Sequence, residues 1–249
     1  MGGFFGATSR RNCILDVFFG TDYHSHLGTR RGGMAAWDKE LGMQREIHNI
    51  QNSPFRTKFE GILNEMTGTA AIGCISDTDP QPILIRSRLG IYAICTIGVI
   101  NNAEALIATH LSSSGGHFDS MTGGKVNSNE LIAAFIDQKD NFADGIRYAQ
   151  DMIEGTASIL IMKDGGNLIA ARDKMGRLPI VIEKNEDGYA VTFEDYELLD
   201  PLQRADGATV VAARVRSTDD LRRFAAEVGY PFVIKPVDGA GSRGVTLVH

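Results

Sequence analysis

The chain opens Met1-Gly2-Gly3-Phe4-Phe5-Gly6, and its chemistry turns on the second residue. A small residue after Met1 predicts removal of Met1 by an aminopeptidase, leaving a free amine at the head of an apolar strand. Such an amine can activate a hydroxyl or thiol on its own residue, directly or through a bridging water. Gly2 carries no side chain. The terminus therefore supplies a base without a nucleophile.

Three cysteines, Cys13, Cys74 and Cys95, are the other sulfur nucleophiles, far apart in apolar surroundings and without CxxC or Cys/His ligand spacing. Cys74 is the candidate substitute nucleophile, but its neighbours Ile72 and Ile75 would raise its pKa and no clear base accompanies it in sequence. Buried free thiols in a reducing cytosol explain all three. His24, His26 and His48 could serve as bases or, with Asp22, as metal ligands. Their spacing matches no metal motif, so they are read as packing residues and no metal site is expected.

The elements that must position these groups follow from periodicity and turn chemistry. Residues 3–7 read as a buried strand and Cys13 to Phe19 as a helix packed beneath it. The polar, turn-rich stretch His24 to Gly33 leads into a strand from Met34. Residues 47–59 read as extended and 59–66 as a short amphipathic helix. Strands follow at 70–75, 82–85 and 90–99, a helix at 102–111, two helices at 129–138 and 143–153, and strands at 157–162, 168–171, 179–182 and 189–193. Gly-bounded strand groups alternating with paired helices predict two sheets with helices packed outside.

The chain has 249 residues, 43% hydrophobic and 22% charged, enough to bury a sizeable core. A net charge of −6 gives no reason to expect nucleic acid or a membrane as partner. No run approaches the ~20 apolar residues of a membrane span, and Gly6 stands where a myristoylation signal wants Ser or Thr. A cytoplasmic location is expected, with a protein partner or a second copy of the chain as the kind of partner and no small-molecule ligand named.

Several motifs in shared order resemble one family, the class II glutamine amidotransferase domain, in its amidophosphoribosyltransferase-like form. The resemblance covers about residues 1–195. It rests on Met1 to Gly6, His26-Leu27-Gly28 ending in Gly33-Met34-Ala35, Ile72-Gly73, Gly98 with Asn101, Glu130, and above all Ala171-Arg172-Asp173-Lys174-Met175-Gly176-Arg177-Leu178-Pro179. It implies an α+β fold, the four-layer αββα sandwich of the N-terminal-nucleophile (Ntn) hydrolases. It also implies a glutaminase that needs a thiolate, an oxyanion donor and charged groups for the head of the amino acid. At those positions the chain has Gly2 for the thiol, Ile97 for the oxyanion asparagine, Ser76 for the carboxylate-clamping arginine and Ser128 for the acidic residue that meets the amine. Only the backbone at Gly98 could still donate. A pseudoenzyme with no catalytic residues is therefore expected, in a structural or regulatory role linked to purine or nitrogen metabolism.

Beyond residue 195 the chain changes character. Residues 196–216 read as a linker or junction and 217–249 as a truncated fragment resembling the nucleotide-binding part of an ATP-grasp enzyme. A capped helix at 217–229 precedes a strand at 232–237, a Gly-rich loop at 238–244 and a strand at 245–248. In that resemblance Lys235 meets the phosphates, and Gly239, Gly241, Ser242, Arg243 and Gly244 fold over them. No cofactor is required for residues 1–195; ATP and Mg enter only if the ATP-grasp portion is complete. Two alternatives stand beside the silent domain: part of an ammonia-using or ATP-dependent ligase, and a truncated or chimeric reading frame.

Overall fold

A computed structural model describes residues 2–114, 117–185, 187–193, 232–234 and 246–248. The chain divides into two compact units, Met1–Arg204 and Ala205–His249.

In the first unit, β1 (Gly2–Ser9) starts a sheet and α1 (Ile14–Tyr23) packs on it. Ile14, Val17, Phe18 and Thr21 are the buried residues at helical spacing that hold α1 down. Then come β2 (Arg31–Asp38), β3 (Gly42–Asn49) and α2 (Phe55–Phe59). β4 (Ala70–Ser76), β5 (Ile83–Ser87) and β6 (Gly90–Ile100) follow, and then α3 (Ala103–Ser114). After a two-residue ladder, β7 (Met121–Thr122) and β8 (Lys125–Val126), come α4 (Ser128–Ile136) and α5 (Phe142–Met152). β9 (Gly155–Lys163), β10 (Leu168–Ala171), β11 (Val181–Asn185) and β12 (Gly188–Thr192) complete the unit.

Two antiparallel sheets result, in the orders β11-β12-β1-β4-β2-β3 and β10-β9-β6-β5. Strand alternation gives each sheet two apolar faces. The outer face of the first sheet carries Phe5, Met34, Ala36 and Ile75 against Val17, Phe18, Phe55 and Phe59 of α1 and α2. The inner faces meet through Phe4, Ala35, Ile72 and Cys74 on one side and Ala93, Cys95, Ile97, Leu160 and Met162 on the other. The outer face of the second sheet, with Tyr92, Ile94, Ile159 and Ile161, is covered by Leu106, Leu131, Ile132, Phe135 and Ile146 of the later helices. Helices, sheet, sheet and helices thus make four layers, as expected.

One stretch differs from its sequence reading. Residues 42–49 form β3, an edge strand, and the helix lies at 55–59 rather than 59–66. Pro54, with φ −55°, starts it, and Phe55 and Phe59 stack one turn apart with ring centroids 4.2 Å apart. Gly61 to Asn64 continue only as a 3₁₀ turn. Burying two Phe rings contributes about 4 kcal/mol. That outweighs the weaker helical pattern further along.

In the second unit, β13 (Phe232–Ile234) and β14 (Thr246–Val248) pair antiparallel, Phe232 opposite Val248. The helix read at 217–229 and the residues Lys235, Gly239, Gly241, Ser242, Arg243 and Gly244 lie outside the described residues. No helix among the described residues is long and apolar enough to cross a membrane.

Candidate functional site

The positions expected to carry chemistry gather at one end of the two sheets. Gly2 on β1 pairs with Ser76 on β4, and Ser76 pairs with Arg31 on β2. Paired residues share a face. For this row it is the inner face, because Phe4, Cys74 and Ala35, two or four residues along each strand, lie in the core between the sheets.

Below Gly2 is Ile97 of the second sheet. A Cβ built on Gly2 would lie 2.3 Å from the Ile75 carbonyl oxygen and 3.0 Å from Ile97 Cδ1. Both distances are shorter than an ordinary carbon contact. The backbone and the Ile97 side chain therefore fill the place a nucleophile would need, and Ile97 is only 7% exposed. Ser76 is buried; its hydroxyl contacts Thr78 Oγ1 at 3.2 Å and accepts from the Thr78 N–H at 3.2 Å.

Gly98 and Ser128 lie on the other side of β6. They line a hollow with Thr78, Asp79, Thr96, Ile100 and Thr156, whose space of about 20 Å³ suits a water or two. Thr96 turns its N–H and C=O away from β9, to the Gln81 side-chain amide, at 2.8 and 3.1 Å. Alternate residues of a strand point their backbone groups the same way, so Gly98 also turns its N–H to this open edge. Ile97, the residue before it, offers no side-chain donor beside that N–H.

Ser128 opens α4, and its N–H donates to Asp79 Oδ2 at 3.2 Å. The N-cap is Asn127, whose side chain accepts from the Asn129 N–H at 2.9 Å and donates to the Pro80 carbonyl at 2.8 Å. Glu130 uses both carboxylate oxygens on the Asp119 and Ser120 N–H groups, at 2.9 and 2.8 Å. It fixes the approach to the helix.

The loop after β10 is built around Asp173, buried at 3% exposure. Its carboxylate accepts from the N–H groups of Met175, Arg177 and Leu178, and its own N–H donates to Ser158 Oγ at 3.3 Å. Gly176, at φ +63°, closes the turn, with its carbonyl accepting from Arg172. The most specific motif of the sequence is thus a structural loop.

The remaining candidates separate. Cys74 is fully buried and its thiol donates to the Gln81 carbonyl at 3.2 Å. Burial pushes the Cys13 thiol up to about 12 and the Cys95 thiol well above its ordinary value. Such protonated thiols are poor nucleophiles. His24 is buried, with Nδ1 on the Gly20 carbonyl at 2.6 Å and Nε2 3.3 Å from Thr192 Oγ1. His26 meets the Tyr23 carbonyl at 2.7 Å, His48 packs edge-on to Phe59, and Asp22 pairs with Arg56 at 2.6 Å. No group of three metal-ligating side chains occurs among the described residues.

Two residues of this end were missed in the sequence, Arg31 and Gln81. Alternation through β2 places Arg31 in phase with inward-facing Ala35, a signal that was available. Gln81 precedes a strand as an ordinary polar residue, and its role is visible only in the fold. Asp77, the residue after Ser76, holds the loop before Arg31: the Thr29 N–H donates to it at 2.8 Å and lowers its pKa.

This first unit has a class II glutamine amidotransferase-like fold. It is similar to the solved structure of glutamine phosphoribosylpyrophosphate amidotransferase from B. subtilis complexed with ADP and GMP, with TM-score 0.64 and 24% identity over 76% of this chain and 41% of that one. A structure described as the allosteric regulatory enzyme of purine biosynthesis matches equally, with TM-score 0.64 and 24% identity over 77% of this chain and 41% of that one. The chain thus spans less than half the length of these enzymes. No family model and no curated protein matches it.

Proposed function

We propose that this is an amidophosphoribosyltransferase-like domain that does not hydrolyse glutamine and serves a structural or regulatory role linked to purine or nitrogen metabolism. The observation that carries this reading is Gly2 itself, which has no side chain and where an added Cβ would lie 2.3 Å from the Ile75 carbonyl oxygen and 3.0 Å from Ile97 Cδ1. Losing an oxyanion donor alone costs about a hundredfold or more in rate. Here the side-chain donor, the nucleophile and both head-group clamps are replaced together. The four-layer fold supports the family assignment, and the buried free thiols support a cytoplasmic setting. The test is glutamate release by the purified full chain supplied with glutamine. No rate above buffer is expected, and a rate well above it overturns the reading.

The pairing of β13 with β14 favours a second reading, an ATP-dependent or ammonia-using ligase of which this chain holds part. Lys235 follows β13 in the sequence, and a lysine ammonium suits phosphates. Magnesium-dependent ATP binding that disappears in Lys235→Ala would support it. Absence of saturable ATP binding ends it for this chain.

A further inference from the structure

We propose that the outer edge of β3 is a docking surface for a second copy of this chain, which adds its own β3 antiparallel and continues the first sheet across the pair. The two main sheets of the first unit end in the edge strands β11, β3, β10 and β5. β3 is the longest of them, with 8 residues against 5, 4 and 5. The Ile50 N–H donates to the Arg30 carbonyl at 2.9 Å, which makes Arg30 and Ile50 a hydrogen-bonded pair. In an antiparallel ladder such pairs recur every second residue. The backbone groups of Gln44, Glu46 and His48 therefore face β2, and those of Met43, Arg45, Ile47 and Asn49 face outward. No backbone hydrogen bond from another segment reaches these four among the described residues. Such a row of unpaired N–H and C=O groups is a template for another strand.

The side chains select both the occupant and the register. Outward residues must meet outward residues to share hydrogen bonds, so two copies of β3 pair about a two-fold axis that passes through a residue and not between two. An axis at Arg45 or at Glu46 sets like charges directly opposite, which is destabilising. An axis at Ile47 sets this half-buried β-branched side chain against its own copy, Glu46 opposite His48 and Arg45 opposite Asn49. Within the strand, no other axis places a carboxylate directly opposite a basic side chain. Glu46 and His48 already approach to 3.8 Å inside one copy, with their side chains 51% and 36% exposed. Across the axis their carboxylates and imidazoles alternate, and each Glu46 gains a second imidazole. The strand is thus self-complementary in charge at one register, while its charges oppose the neighbouring ones. Residues 45–49 of the two copies share about six backbone hydrogen bonds, a small interface of the transient kind.

The experiment is sedimentation equilibrium of the full chain from about 1 μM to 1 mM, where a reversible monomer–dimer equilibrium is expected. Ile47→Pro removes an N–H that points outward and introduces a residue that edge strands tolerate. It should abolish the dimer with an unchanged far-ultraviolet circular dichroism spectrum. If that variant does not fold, Glu46→Lys, at an exposed side chain, sets two basic pairs across the axis and should weaken the dimer about fivefold or more. Adding His48→Glu to Glu46→Lys puts opposite charges face to face again and should bring the dimer back to within about twofold of the parent. Leu84→Lys, on the edge strand β5 of the other sheet, should leave the dimer unchanged. A chain that stays monomeric up to about 1 mM, or a dimer indifferent to the β3 variants, overturns the proposal. So does a double variant that dimerises no better than Glu46→Lys alone.

Discussion

Two neighbouring regions of one sheet system contrast sharply. In the Asp173 loop each hydrogen bond of the buried carboxylate goes to a backbone N–H of the same turn, and the loop is tied to β9 through Ser158. Ser158 pairs with Ile97, and Ile97 packs on Gly2, so the contact-filled site lies one strand away. The loop carries the residues its own backbone requires. At Gly2 and Ile97 there is no side chain that could react, and the surroundings are apolar. The difference teaches that hydrogen bonds fix the first region and close apolar packing the second.

That contrast is most easily broken at Asp173. Asp173→Ala leaves three backbone donors without their acceptor and should destabilise the unit by about 3 kcal/mol, read as a lower urea midpoint at unchanged slope. Asp173→Asn, which keeps an acceptor, should lose about half as much. A near-neutral alanine variant would show that the loop is not a structural support.

Gln81 is the corresponding support on the site side, where its buried amide completes the edge of β6 at Thr96. Gln81→Leu should cost about 2 kcal/mol, by leaving the Thr96 N–H and C=O unpaired. Gly2→Ala tests the filled position itself. Overpacking predicts a loss of about 1 kcal/mol, partly relieved because the strand end can shift. Gly2→Cys should cost as much and release no glutamate. If Gly2→Cys were fully stable and hydrolysed glutamine, the contact with Ile97 would not be what silences the site.

The layers were legible in the sequence because apolar alternation and helical spacing are strong over β1, β4, β6, β9, α1 and α4. The edge strand β3 was not: Gln44, Arg45, Glu46 and His48 give it a polar pattern, as an exposed edge needs. Gly2, Ser76, Ile97 and Ser128 could be singled out from motif order, but not what packs around them. Ile97 reads as an ordinary strand residue until the opposite sheet brings it against Gly2. Arg31 reads as one of a basic pair until pairing puts it beside Ser76. Both depend on register between strands far apart in sequence, which local pattern does not encode.

The smallest expected effect concerns Asp77, which ties the loop before Arg31 to the end of β4. Its pKa is lowered from 3.8, first by the Thr29 N–H. A carboxyl whose folded pKa is depressed adds stability that is present above its unfolded value and lost as pH falls through the folded one. Asp77→Asn should therefore be slightly less stable than the parent near neutral pH, with the difference closing as pH falls below 3.8. Urea unfolding of both proteins across that range measures it.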